Sequence, residues 1–491
     1  MPADLPGLYF DHTRNRYFPL TSRSSLPASP YSSLPASSPS YISAAVPSRA
    51  RQQDSEPPNT ERSQRRRIRW SANTCSPPTS AAQARFSESL LLDRIAGTRC
   101  GTSERVRWPV GEGALTAFRT ATTPDPDGRV RQWIGDARGW VYSRASVSSQ
   151  DTWDDDDGDE RDEWSSWSPE LCLHPASEIS AICTSGTRAV ATCFGPATKV
   201  CVQDACASGD GDADGEGDEH RRTFLLTLST THDVRAASLE GSALVLGAAR
   251  TAVLLPDIDS ASQVRRLDTG SDVFAVAQSK SLVYAGTRAG TAHRFDVRVG
   301  GKTMHTLLPL DALSAFSGSH QGSARPAPRS SITALHPTHA GPALIVGRAD
   351  GRLASYDLRF LRADAAPVVS YAGHVGALAG GTRLGSALDP GERVLYAAGA
   401  DGALRAWAVG SGQAVYSEST RDEMRMEVDD APSALHSASS SGACISPARA
   451  PFAARTRFPA PLASLQALDA GDGTELWAGG GNAVYRWRVG V

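Results

Sequence analysis

The sequence contains little lysine and no long apolar run. Only three of its 50 basic residues are lysines, and the most apolar segment, residues 243–255, is interrupted by Arg250. The first 20 residues lack an apolar run behind a basic start. We therefore expect no membrane-spanning helix and no secretory signal. The expected location is the nucleus or the cytoplasm, where thiols stay reduced.

Motifs for catalysis and metal binding are also missing. The eight cysteines form no CxxC pair, so we interpret them as isolated thiols rather than as a zinc site. There is no phosphate-binding loop, no GxSxG elbow, no HExxH and no GxGxxG after a strand. His336 and His339 are expected on a solvent-facing loop. We predict no cofactor, no metal and no catalysis, and leave open an enzyme site assembled from distant segments.

Acidic residues are concentrated in two segments. Residues 151–163 carry nine acids and one arginine, and residues 210–219 carry six acids, whereas the whole chain has a net charge of -3. Both segments are either solvated loops or surfaces that repel nucleic acid or attract a basic partner. The basic run at residues 64–69, QRRRIR, is either solvated or a nuclear-import or nucleic-acid contact. Overall, nucleic-acid binding is not expected.

The chain changes character along its length. Residues 21–85 are rich in Ser, Pro, Ala and Arg without a sustained period, which predicts disorder. From about residue 105, short alternating apolar runs are separated by Gly, Asp and Ser turns, which indicates antiparallel strands without a convincing amphipathic helix. Seven units are expected to begin near the following residues: Ala114, Ile179, Val234, Val273, Ile332, Val375 and Leu462.

Seven units at these spacings predict an all-β, seven-bladed β-propeller over residues 86–491. Residues 418–459 are expected to form a flexible loop. The last unit ends after three strands, so we expect residues 86–92 to supply its fourth strand and close the ring.

Two sixteen-residue stretches repeat one layout. Residues 283–298 read VYAGTRAGTAHRFDVR and residues 344–359 read LIVGRADGRLASYDLR. Each has a strand, a Gly turn, a second strand and then aromatic-Asp-x-Arg. We expect the aromatic to pack inward while Asp and Arg lie at one face of the ring. Each arginine then either pairs with its own aspartate, stacks on a neighbouring aromatic, or contacts a partner.

The unit over residues 371–416 has a second signature. His374 follows a glycine at its start, Asp401 precedes a glycine in a turn, and Trp407 lies six residues later. This layout resembles the WD-repeat consensus, in which His, Asp and Trp form a buried hydrogen-bond network. We expect His374, Asp401 and Trp407 to be structural rather than catalytic.

Both sixteen-residue stretches resemble the DWD box of WD-repeat substrate receptors of cullin-4 ubiquitin ligases, with Phe295 and Tyr356 in place of the usual Trp. The resemblance implies that Asp296, Arg298, Asp357 and Arg359 contact the adaptor protein of the ligase, and that the chain presents unknown protein substrates without catalysing the transfer. Residues 5–20 within the N-terminal motif (1–20) also resemble a motif of such receptors.

The aromatic runs in residues 5–20 have the layout of a hairpin, which either packs on its own propeller or binds another protein. An alternative function for the chain is a general scaffold for complexes in chromatin or RNA processing.

Overall fold

The computed structural model describes most of the predicted ring. The described residues are 8–11, 16–19, 81–98, 100–106, 113–124, 129–147, 167–205, 221–260, 263–299, 304–308, 330–361, 366–377, 383–415, 457–471 and 473–489. The predicted disorder of residues 21–80, both acidic segments and the predicted loop at 418–456 lie outside them. The chain divides into two units, Met1–Arg67 and Ile68–Val491, which are described separately.

The first unit contains one β-hairpin. Strand β1 (Leu8–Asp11) pairs antiparallel with β2 (Arg16–Pro19). In this register Tyr9 lies opposite Phe18 and Phe10 lies opposite Tyr17. Both aromatic runs therefore lie in the paired strands of this hairpin.

The second unit begins with a helix and continues as strands. Helix α1 spans Ala81–Gly97, and β3 spans Cys100–Arg105. Strands β4 to β29 follow in chain order: Leu115–Thr120, Arg129–Asp136, Trp140–Val147, Ser168–Cys172, Ile179–Ser185, Arg188–Cys193, Thr198–Ala205, Arg221–Leu228, Ala236–Glu240, Ala243–Ala248, Thr251–Leu255, Arg265–Asp268, Val273–Ser279, Leu282–Thr287, Ala292–Asp296, Met304–Leu308, Ile332–Pro337, Ala343–Arg348, Leu353–Asp357, Val369–Tyr371, Ser386–Leu388, Val394–Ala398, Leu404–Ala408, Ser464–Asp469, Thr474–Gly480 and Ala483–Val489. One turn of 3-10 helix, Val297–Val299, follows β18.

These strands form seven antiparallel sheets, which we number as blades 1 to 7. Six blades have four strands, and blade 6 has three in the described residues: β4–β7, β8–β11, β12–β15, β16–β19, β20–β23, β24–β26, and β27–β29 with β3. The first strands of successive blades contact one another, and β27 of blade 7 contacts β4 of blade 1. The predicted fold class, a seven-bladed β-propeller, is confirmed.

The core lies between the blades. Second strands are apolar on both faces because each blade is covered by a neighbour on either side; β13 (ALVLGA) and β25 (VLYAA) are examples. Phe295 and Tyr356, predicted to pack inward, are buried in clusters shared by neighbouring strands. Because these side chains leave water only when two blades stack, each blade depends on the next for stability.

Glycines in second strands allow the blades to approach closely. A Cβ built on Gly286 of blade 4 would overlap the Cγ2 atom of Ile332, which begins blade 5 and is fully buried. Gly247 has the same relation to Val273, with 2.9 Å from the built Cβ to Cγ1. Similar contacts exist at Gly135 and Gly479. The glycine thus leaves room for the first side chain of the next blade.

Six of the seven predicted blade starts lie within two residues of an observed first strand. The exception is Val375, because the first strand of blade 6 begins at Ser386. Val375 instead lies in the connection from blade 5, where its carbonyl accepts a hydrogen bond from the Ala400 amide, and its side chain is exposed. The prediction for blade 6 was therefore wrong by eleven residues.

The predicted closing strand was also wrong. Residues 86–92 lie within α1, and β3 pairs antiparallel with β29 as the fourth strand of blade 7. The predicted disorder up to residue 85 is corrected with it, since α1 begins at Ala81. Leu92 and Ile95 of this helix are buried against blades 6 and 7, and Leu91 and Ala96 pack partly against the same cluster. No helix in the described part of the chain is long and apolar enough to span a bilayer.

Candidate docking surface

The propeller has two distinct faces. In each blade built from four consecutive antiparallel strands, the turns from the first to the second strand and from the third to the fourth strand lie on one face. The turns from the second to the third strand and the connections between blades lie on the opposite face. Arg298 follows the third strand of blade 4, and Arg359 follows the third strand of blade 5. We call the face that carries these two turns the arginine face.

In blade 4, Asp296 holds Arg298 in one orientation. The backbone amide and Nε of Arg298 each donate to Oδ1 of Asp296 at 3.0 Å, and its Nη2 donates to Oδ2 at 2.6 Å. Val297, between them, packs against the core of blades 3 and 4. The turn therefore directs the intervening residue inward while the arginine side chain remains 72% exposed.

Blade 5 repeats this geometry. The Arg359 amide donates to Oδ1 of Asp357 at 2.9 Å, and Nε and Nη2 donate to the same carboxylate at 3.1 and 2.6 Å. The Arg359 guanidinium also lies 5.4 Å from the ring centroid of Phe360. Of the predicted roles, the structure shows both arginines paired with their own aspartates, and Arg359 also beside an aromatic ring. The arginine side chain is nevertheless 64% exposed.

The pairing holds both carboxylates ionised. Hydrogen bonds from Arg298 lower the pKa of Asp296 to about 2, and those from Arg359 lower the pKa of Asp357. The same contacts raise the pKa values of the two arginines. Because Nη1 of neither guanidinium has a hydrogen bond within the described residues, each arginine retains donors that point to solvent.

Exposed apolar side chains surround the two turns. Eight large apolar residues are exposed in the described part of the chain, and five of them flank the third-to-fourth-strand connections of blades 3, 4 and 5, with exposures from 42% to 71%: Val264, Val299, Met304, Phe360 and Val368. Arg265 links blades 3 and 4 there, since its Nη1 donates to the Val297 carbonyl at 3.1 Å. An apolar patch with directed arginines is a typical protein-docking surface.

These five residues were missed in the sequence because isolated apolar residues beside turns carry no periodic signal. The one available signal was their position immediately after the repeated Asp-x-Arg motif, as in Val299 and Phe360.

The predicted His-Asp-Trp network of blade 6 is only partly assembled. His374 lies between the carbonyls of Gly351 and Ala398, at 3.2 and 3.0 Å, and its ring makes an edge contact with Trp407. The Trp407 indole donates to the Ala372 carbonyl at 2.8 Å. Asp401 has no hydrogen bond to His374 and instead accepts two from a neighbouring arginine. Burial lowers the pKa of His374.

The other candidate residues lie apart from this surface. His336 lies in strand β20 rather than on a loop, and its Nε2 is 2.8 Å from the Ser386 hydroxyl; burial lowers its pKa to about 4. His339 is exposed, as expected. The four described cysteine side chains are free thiols. Within the residues that the structure covers, no group of His, Cys, Asp and Glu could hold a metal ion.

Comparisons with known proteins bear on the fold alone. No protein-family model matches the sequence, and no curated protein matches it. The WD40 β-propeller domain of Doa1 has a TM-score of 0.47 at 12% identity, covering 80% of this chain and 97% of that one. The computationally designed protein Ika8 gives 0.41 at 15%, covering 79% and 100%. Because both scores are low, the fold stated above rests on the strand pairing itself.

Proposed function

We propose that this chain is a substrate receptor of a cullin-4 RING ubiquitin ligase, which docks on the ligase adaptor through the arginine face. The observation that carries the proposal is the pair of directed, exposed guanidiniums on neighbouring blades, surrounded by exposed apolar side chains. The proposal builds on the resemblance of the two Asp-x-Arg stretches to DWD boxes. The N-terminal motif supports the same family, since it resembles that of cullin-4-associated factor four.

The composition of this face suits a tight contact. Interface hot spots are enriched in arginine and aromatic residues, which bind through pockets that exclude water. Arg359 with Phe360 offers such a pair, and Arg298 with Val299 offers a smaller one. Since each aspartate already orients its arginine, docking requires little further ordering of these side chains.

In this role the propeller performs no bond chemistry. It holds a protein substrate near a ubiquitin-charged enzyme, so that attack by a substrate lysine becomes effectively intramolecular. Substrates would then bind away from the arginine face. With only three lysines, the receptor itself would offer few sites for modification. Such a ligase subunit would act in the nucleus, the cytoplasm or both.

The test is a pull-down of the cullin-4 adaptor by wild type and by the double variant Arg298→Ala and Arg359→Ala. We expect the variant to lose adaptor binding while its circular dichroism spectrum stays unchanged, because both side chains are exposed. Equal capture by wild type and variant, or no capture by wild type, would refute the receptor function.

A matched control is available on the opposite face. Arg288 pairs with Asp272 and Arg352 with Asp350, and both arginines are exposed like the pair under test. The double variant Arg288→Ala and Arg352→Ala removes the same charge and the same kind of ion pair. It should capture the adaptor as wild type does.

The apolar residues provide a second arm. Phe360→Ser with Val299→Ser should weaken adaptor capture, whereas Val375→Ser, an exposed change on the opposite face, should not. None of these substitutions should change stability by more than about 0.5 kcal/mol, because the side chains are exposed.

The second candidate function is an interaction scaffold for complexes in chromatin or RNA processing. One observation favours it: the strands that flank both acidic segments, β6 with β7 and β10 with β11, are the third and fourth strands of neighbouring blades. The described strand ends on either side of both segments, in blades 1 and 2, therefore lie on the arginine face. Under this function, association with partners would survive the arginine changes and would fall after deletion of residues 151–163 or 210–219.

A further inference from the structure

A cavity lies in the central channel of the propeller, with a volume of about 310 Å³. Its lining comes from all seven blades, mostly from the first strands and the connections that lead into them. Several of these residues, such as Arg235 and Arg383, precede a first strand and so lie towards the face opposite the arginine face. The volume is at the lower end of the range for small-molecule sites, which begins at about 300 Å³.

The charge of this lining is strongly unbalanced. Four arginines contribute side chains, Arg119, Arg235, Arg348 and Arg383, against a single carboxylate, Glu178. Among the described residues, none of the four arginines has a carboxylate within ion-pair distance. Unpaired charges in a confined channel destabilise the fold unless something compensates them.

Arg235 is held in place by aromatic rings rather than by hydrogen bonds. Its guanidinium lies 4.7 Å from the ring centroids of both Phe194 and Phe274. Contacts with ring faces leave the N–H groups at the edge of the guanidinium available, and no described residue accepts a hydrogen bond from them. The Arg235 side chain is therefore held in place while its N–H donors remain available to a ligand.

Arg383 and Arg235 are neighbours. Nη2 of Arg383 donates to the backbone carbonyl of Arg235 at 2.6 Å. Burial, together with the nearby charge of Arg235, lowers the pKa of Arg383 to about 10 against the opposing effect of Glu178. The two arginines are thus neighbours, the charge of Arg235 acts on Arg383, and most of their side-chain donors are unused.

The remaining two arginines are anchored by backbone carbonyls. Arg119 donates through Nη1 to Leu465 at 2.7 Å and through Nε to Ile182 at 3.3 Å. Arg348 is buried and donates through Nη2 to Ser330 at 3.2 Å, while its Nε has no partner in the described residues. Neutral acceptors position these guanidiniums without cancelling their charge.

We propose that this cavity binds a small multivalent phosphate anion, with Arg235 and Arg383 as its principal ligands. A terminal phosphate offers three oxygens, so it can accept from two guanidiniums at once, and its charge offsets the excess that the channel carries. The site is separate from the arginine face and does not depend on adaptor docking.

Isothermal titration of the full chain with pyrophosphate, ADP and citrate, each without magnesium, tests the proposal. Pyrophosphate and ADP should bind with one-to-one stoichiometry, with an affinity that falls as salt is raised. Equal affinity for the two would assign recognition to the phosphates alone, and tighter binding of ADP would add a nucleoside contact. Tighter binding of citrate than of either phosphate would overturn the phosphate assignment.

The decisive variant is Arg235→Gln with Arg383→Gln. Each lost charged hydrogen bond should weaken pyrophosphate binding about tenfold, and the pair about a hundredfold. The control is Arg266→Gln with Arg288→Gln, which removes the same charge outside the cavity. An equal loss in the control, or no loss in the channel variant, would refute the site, as would the absence of binding by wild type.

Arg383→Gln alone guards against misfolding of the double variant. Within the described residues, the only hydrogen bond of the Arg383 side chain goes to a backbone carbonyl, so the blades should stack unchanged in this variant. It should reduce pyrophosphate affinity about tenfold, and Arg383→Lys should restore part of it. Unchanged affinity in Arg383→Gln would count against the proposal.

Discussion

Asp296 and Asp357 orient their arginines while leaving donors for a partner. Each carboxylate takes the Nε and Nη2 edge of its guanidinium and the backbone amide of the same arginine. An exposed ion pair of this kind contributes little to stability. Its effect is instead to reduce the rotamer freedom that an arginine would lose on docking. Without these aspartates, both arginines would be long, mobile cations at the surface.

Asparagine at both aspartates tests this positioning. Asp296→Asn with Asp357→Asn should weaken adaptor binding about tenfold without abolishing it, because the arginines remain but lose their charged partners. The fold and the melting temperature should stay as in wild type. Binding that equals that of wild type would show that the arginines need no orientation.

The pH dependence follows from the depressed carboxyl pKa. A carboxyl with its folded pKa lowered to about 2 contributes its pairing fully above its ordinary pKa, near 4, and loses it as the pH falls through 2. Adaptor affinity should therefore not change between pH 8 and about 5 through this contact. A loss of binding between pH 7 and 6 would point to a histidine elsewhere in the interface.

At the scale of the elements, the close approach of blades depends on small residues in the second strands. Gly286→Ala should lower the free energy of unfolding by about 1–3 kcal/mol, because its Cβ would overlap the buried Ile332 side chain. Gly410→Ala is the matched control, since no atom lies within 4 Å of its built Cβ. Chemical denaturation of both variants measures the difference, and equal stability would show that blade 5 can shift outward at little cost.

The first strands of most blades could be predicted from the sequence, because each begins with a recognisable residue pattern. A β-branched residue such as Ile179 or Ile332 begins an alternating run, and a glycine turn ends the strands that follow. Blade 6 departs from this pattern. Its Gly-His pair resembles the start of a repeat, but eleven more residues precede the strand at Ser386. In this blade the motif marks a loop and not the edge of a strand.

Closure of the ring could not be predicted from apolar pattern. Strand β3 reads CGTSER, which contains no large apolar residue, since an outermost strand is not stacked deep between blades. The more apolar residues 86–92 form part of α1 and bury Leu92 on the ring. The channel arginines were equally hidden, because Arg119, Arg235, Arg348 and Arg383 meet only after the ring has closed.

At the scale of the whole molecule, α1 and β3 hold the ring together. Three truncated chains separate their effects, beginning at residues 80, 99 and 107. The chain from 80 should melt as full length does. The chain from 99 lacks α1 and should lose about 3 kcal/mol or more, since Leu92 and Ile95 leave the core.

The chain from 107 also lacks β3, which leaves β29 as an open edge. It should melt lowest of the three and associate through that edge, as measured by thermal denaturation and light scattering. If it melted together with the chain from 99, closure by β3 would contribute nothing to stability.

The most direct test of the account is a hydrogen-exchange footprint of the propeller with and without the cullin-4 adaptor. We predict slower exchange in peptides covering 292–299 and 353–361, which carry Arg298 and Arg359, and unchanged exchange in peptides around Arg235 and Arg383. Protection confined to the opposite face, or no protection at any peptide, would contradict docking through the arginine face.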